Sequence, residues 1–128
     1  MALPGTVYFP AEKTHLEVNA RGYFVPSHAA SVDGHRPSVT ATFESVARYY
    51  RDSALAILLT GMGSDGASGL RSVAQAGGQT VAQDEASCIV FGMPKQAIAL
   101  DAAQLVLPPE DIIRLLLRVA AQHSASLQ

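Results

Sequence analysis

Leu55-Ala56-Ile57-Leu58-Leu59-Thr60-Gly61-Met62-Gly63-Ser64-Asp65-Gly66 reads as an apolar strand running directly into a glycine-rich turn. The first five side chains show none of the alternation of a half-solvated strand. A strand covered on both faces of a parallel sheet has this pattern. Beyond the turn, Leu70, Val73 and Ala74 recur at helical spacing, and Gly77-Gly78 supplies a helix stop. Thr80-Val81-Ala82-Gln83 then offers a second short strand, so residues 55–83 form one β-α-β unit. The fold class that follows is α/β, with a mainly parallel, doubly wound (Rossmann-like) sheet.

Toward the N-terminus lie three short β-type runs, Thr6 to Phe9, Leu16 to Val18 and Tyr23 to Val25. Asn19-Ala20-Arg21-Gly22 joins the last two as a turn, which predicts an N-terminal antiparallel hairpin. Ser38 is placed to cap a helix carrying Val39, Phe43, Val46, Ala47 and Tyr50 on one face, expected to lie on the sheet. Toward the C-terminus, Met93-Pro94 opens a short helix running to Leu100, and Leu105-Val106-Leu107 reads as an edge strand. Pro108-Pro109-Glu110-Asp111 begins a last helix with acidic residues at its positive end and a stripe of Ile112, Leu115, Leu116 and Val119.

Composition narrows what such a chain does. Its 128 residues amount to a single domain on a prior of roughly 100 to 200 residues per domain. With 48% hydrophobic and 16% charged residues it has the makings of a core and is not disordered. The net charge is -2 and no Lys/Arg cluster forms a positive stripe, so no nucleic-acid partner is expected. The longest apolar run, Ala54 to Leu59, is far short of the roughly 20 residues that span a bilayer, which argues against membrane insertion. Met1 to Gly5 lacks the charged and apolar regions of an export signal, and the expected location is the cytoplasm. Cys88 is the single cysteine, and His15, His28, His35 and His123 show no metal-ligand spacing. Neither a metal nor another cofactor is expected.

The glycine loop sits where an α/β sheet places its sites, between the end of a strand and the start of a helix. Three readings of it stand side by side. Gly61, Gly63 and Gly66 match G-x-G-x-x-G, with Asp84 and Glu85 about 20 residues on, as in a dinucleotide-binding domain; Asp65 would then face a pyrophosphate with no counter-charge in the loop. Alternatively the glycines only permit a tight turn, and Ser64 or Asp65 caps the helix. In the third reading Asp65 is a carboxylate held at the sheet edge, partly accessible and directed to a cleft, to orient a histidine as in a Ser-His-Asp set. A search for G-x-S-x-G finds none; Gly66-Ala67-Ser68-Gly69 has the wrong spacing. His35 lies beside Arg36-Pro37 in a loop, and Cys88 lies in an apolar stretch without a neighbouring base.

Three segments together carry a resemblance: His35-Arg36-Pro37-Ser38-Val39, then Thr60 to Gly66, then Gln83-Asp84-Glu85-Ala86-Ser87-Cys88-Ile89-Val90-Phe91-Gly92-Met93-Pro94. In this order they resemble the catalytic domain of the chemotaxis protein-glutamate methylesterases (CheB family), and the likeness runs from about Leu3 to Val119. The resemblance implies a serine hydrolase on a parallel sheet that removes methyl esters from glutamates on the cytoplasmic helices of chemoreceptors and often deamidates glutamines there. Asp65 corresponds to the triad aspartate. Met62 corresponds to a contributor to the active-site wall or to the oxyanion-binding amides. The family's nucleophilic serine and its histidine belong to segments with no counterpart here, so the chain is expected to be a single partial domain, the C-terminal two-thirds, without the receiver domain.

Three functions therefore stay open: a methylesterase domain inactive until joined by its N-terminal half, a non-catalytic methylesterase-like interaction module, and a dinucleotide binder. An exposed sheet edge and apolar face would also favour a homo-oligomer.

Overall fold

The computed structural model describes residues 2–126, with side chains in the last helix described as far as Gln122. The expected hairpin forms. β1 (His15–Val18) pairs antiparallel with β2 (Phe24–Ser27), placing His15 opposite Ser27 and Val18 opposite Phe24. Its turn is closed by Asn19, whose Oδ1 accepts from the amides of Arg21 and Tyr23 at 2.9 and 3.0 Å. Thr6 to Phe9, read as a strand, carries no ladder. Bounded by Pro4 and Pro10, it leaves Val7 and Phe9 exposed, and only Tyr8 packs, its ring 4.5 Å from that of Phe24. β-type composition alone does not make a strand; pairing and packing against a neighbour do.

Ser38 caps α1 (Val39–Tyr50) as expected, its extended backbone turning Oγ to accept from the Ala41 amide at 3.2 Å. All five residues assigned to the inner face of α1 join the core. That face meets α2 and the hairpin first, where the sheet had been expected. A Cβ on Gly69 would lie 2.8 Å from the Thr40 Cα and 2.9 Å from the Phe43 Cβ, so the two helices cross where one has no side chain.

β3 (Leu55–Leu58), α2 (Ala67–Gln75) and β4 (Gln79–Gln83) form the β-α-β unit, with Leu55 in register with Gln79 and Leu58 with Ala82. After α3 (Met93–Ala99), β5 (Leu105–Leu107) joins β4 in parallel, giving the order β3-β4-β5. α4 (Pro109–Ser126) ends the described chain. Helices cover both faces: Ala56 and Leu58 point into a core with residues of α1, α2 and α3, whereas Leu55 and Ile57 pack with Val81, Ile112 and Leu115 beneath α4. The α/β class stands.

One expectation holds in part and one needs correction. The five apolar residues predict a strand buried on both faces, and β3 is packed from both, but Leu55 and Ile57 are only half-buried and Leu59 is exposed; among the described residues β3 also has the unpaired edge that was expected. The strand buried along most of its length is β4, from Thr80 to Gln83. Leu116, placed in the inner stripe of α4, faces outward with Ile113 and Leu117, because the helix is apolar on two sides and packs only one on the sheet.

Candidate active site

Thr60 to Gly66 leaves the carboxyl end of β3 and enters α2 through Gly66, whose φ of 91° is left-handed. A Cβ there would sit 2.7 Å from the Leu58 Cδ1 and 3.0 Å from the Val39 Cγ1, so close packing reinforces the conformational demand. Asp65 immediately precedes this residue, in the turn where the sequence places it. Its surroundings differ from the expectation, however. Only 4% of Asp65 is exposed, and its carboxylate is turned onto the N-terminus of α1.

There it collects three donors. Ser38 Oγ donates to Oδ1 at 2.8 Å, the Thr40 amide to Oδ1 at 3.2 Å and the Val39 amide to Oδ2 at 2.8 Å. The amide of Gly66 answers by donating to Thr40 Oγ1 at 2.8 Å, so loop and helix hold each other. The unpaired amides and positive end of α1 supply the compensation that a buried carboxylate requires. A carboxylate offers about four lone-pair positions. Two on Oδ1 and one on Oδ2 are filled, leaving one acceptor position on Oδ2.

The second motif forms the wall beside this loop. Gly61 bridges Phe91 in parallel; its amide donates to the Val90 carbonyl at 3.0 Å, and its own carbonyl accepts from Gly92 and Met93 at 3.0 and 2.9 Å. The Thr60 hydroxyl donates to the Val90 carbonyl and accepts from the Val90 amide, and Gln83, buried, accepts from the Thr60 amide while donating to Ser87. A Cβ on Gly92 would lie 2.6 Å from the Gly61 oxygen. Met62 projects from the clamped loop with 78% of its surface exposed, and Ile89 and Val90 of the second motif are exposed as well.

The remaining candidates fall elsewhere. Asp84, the acid of the dinucleotide reading, is engaged by Ser87, whose amide and hydroxyl both donate to Oδ1. Cys88 is half-buried with its Sγ 4.0 Å from the Gln83 carbonyl. His35 is exposed in an isolated bridge with Val32. Ser68 lies within α2, where its carbonyl accepts from Ser72 Oγ. Among the described residues no group of three His, Cys, Asp or Glu side chains is placed to hold a metal ion, and no helix is long and apolar enough to cross a membrane.

Sequence reading missed His15. It is buried at 1% exposure beside Ser38, whose amide donates to Nδ1 at 3.0 Å; Nε2 lies 3.0 Å from the Ala30 carbonyl. Nothing local marks it, because both partners come from the loop that follows the hairpin.

Comparison with known proteins places the chain as a whole. The CheB methylesterase family model matches residues 1–116. The chain is 49% identical over 126 residues to the protein-glutamate methylesterase/protein-glutamine glutaminase 2 of Pseudomonas aeruginosa, covering 96% of this chain and 36% of that protein. It is 45% identical to the corresponding protein of the Rhizobium meliloti group 3 operon, covering 94% and 34%. The chain thus spans about a third of the length of these curated relatives. Among solved structures, the Thermotoga maritima CheB methylesterase catalytic domain superimposes with a TM-score of 0.75 at 36% identity, over 81% of this chain and 59% of that one. The family model over nearly the whole chain, with these relatives and this structure beside it, shows that the chain belongs to the CheB methylesterase family.

Proposed function

We propose that this chain contributes the aspartate side of a protein-glutamate methylesterase site, with Asp65 orienting a histidine supplied by sequence outside these 128 residues. The observation that carries the reading is the Asp65 carboxylate, fixed by three donors yet retaining one acceptor position on Oδ2. An imidazole N–H donating there would be locked in one tautomer, and the cation formed when it takes the serine proton would be stabilised by the buried charge. The serine, also from outside the chain, attacks the methyl ester of a receptor glutamate. Methanol leaves and water then releases the enzyme; a glutamine substrate would lose ammonia by the same route. Met62 and the loop amides line the oxyanion side, and the exposed side chains of Met62, Ile89 and Val90 suit the apolar flank of a receptor helix. The partners are methylated chemoreceptor helices, the setting is the cytoplasm, and the isolated chain has no useful turnover, because a carboxylate alone replaces neither nucleophile nor base.

The test is a hybrid in which this chain replaces its matching segment in the Pseudomonas aeruginosa relative. Methanol release from a methylated chemoreceptor is expected from the hybrid and not from the 128-residue chain alone. Asp65→Asn in the hybrid should lower kcat by about 10^4-fold. A hybrid whose turnover is indifferent to that substitution would remove Asp65 from the mechanism.

A further inference from the structure

Ser38 has more polar contacts to satisfy than an ordinary helix cap. Its amide donates to His15 Nδ1, its hydroxyl donates to Asp65 Oδ1, the same oxygen accepts from the Ala41 amide, and its carbonyl accepts from the Thr42 amide. Ser38 and His15 are each 1% exposed. The contacts on His15 agree on one proton arrangement. A backbone amide is a donor only, so Nδ1 carries a lone pair; a carbonyl is an acceptor only, so Nε2 carries the hydrogen.

We infer that His15 is a positioning residue for Asp65, acting through Ser38 as the neutral Nε2–H tautomer; this rests on the proposed role of Asp65. The ring is anchored at Ala30 and fixes where the Ser38 amide points. Ser38 then holds the extended conformation, φ -114° and ψ 133°, that aims its Oγ and the next two amides at the carboxylate. Removing the ring would leave the Ser38 amide unpaired where water is excluded. The cheapest relief is a rotation at Ser38, which displaces all three donors to Asp65 together. A small shift of the carboxylate is enough to spoil the alignment of a histidine that it orients.

The test begins with the 128-residue chain and a long-range nitrogen–proton correlation spectrum of its histidines. His15 should show a protonated Nε2 and an unprotonated Nδ1; a protonated Nδ1 near neutral pH overturns the inference. Three variants follow. His15→Asn keeps an acceptor near the Nδ1 position, His15→Gln reaches only the Nε2 position, and His15→Leu supplies neither. The Asp65 carboxyl carbon and the Val39 and Thr40 amides should keep their shifts in the Asn variant and move in the other two, with the methyl signals of Leu70 and Val81 unmoved. In the hybrid, His15→Gln should lower kcat about tenfold at unchanged KM, and His15→Asn should restore it. Equal behaviour of the Asn and Gln variants, or Asp65 signals indifferent to all three, contradicts the inference. If His15→Leu fails to fold, the tautomer and the Asn/Gln comparison still decide. Retained turnover in Asp65→Asn instead defeats the reading of Asp65, while the spectra continue to report whether His15 positions it.

Discussion

Asp65 is held by donors at a helix N-terminus more than twenty residues before it, and its removal should be felt in the fold before any chemistry is considered. Asparagine has the same shape but presents an NH2 group to amides that are already donors, so at least one buried donor loses its partner. Asp65→Asn is expected to lower stability by about 3 kcal/mol, read as a reduced urea midpoint at unchanged slope. Gly92→Ala should cost about 2 kcal/mol by forcing a methyl against the Gly61 carbonyl and loosening the two-motif clamp, with a corresponding fall in melting temperature. The glycine pattern and the strand before it locate Asp65 in sequence. They do not show its burial, because the donors come from Ser38, Val39 and Thr40, and no local spacing links residues 38 and 65. His15 was illegible for the same reason.

At the scale of elements, periodicity located α1, α2, α3, α4, the hairpin and all three parallel strands, with boundaries displaced by a residue or two. It failed where a pattern has two readings. The run at residues 55–59 reads as buried on both faces, yet Leu55 and Ile57 are half-buried and Leu59 is exposed, because how far the covering helices reach is not written in a strand's own sequence. Thr6 to Phe9 is β-like and unpaired, and α4 carries apolar residues on two sides of which packing selects one. The distinction is measurable. Leu115→Ala, beneath the sheet, should cost about 3 kcal/mol. Leu117→Lys, on the outer side, should change stability by less than about 0.5 kcal/mol in the same denaturation experiment. Comparable losses at both sites would mean that α4 is buried on both sides.

The molecule as a whole presents apolar surface that a lone domain rarely leaves uncovered. Leu105 and Val106 on β5, Ile113, Leu116 and Leu117 on α4, and Leu59 beyond β3 are all exposed, and both outer strands of the sheet have one unpaired side among the described residues. Covering several hundred Å² of this surface at about 25 cal/mol per Å² offsets a large part of the entropy of association. The 128-residue chain should therefore self-associate, and light scattering across a concentration series should show a mass rising toward that of a dimer. A monomer throughout would contradict this. The central claim, that Asp65 awaits an imidazole N–H on its remaining acceptor position, is tested most directly by the proton spectrum of the hybrid enzyme. A low-field imidazole N–H resonance is predicted in the hybrid and should be missing from the isolated chain and from the hybrid bearing Asp65→Asn. An active hybrid lacking that resonance, or showing it unchanged in Asp65→Asn, would contradict the account.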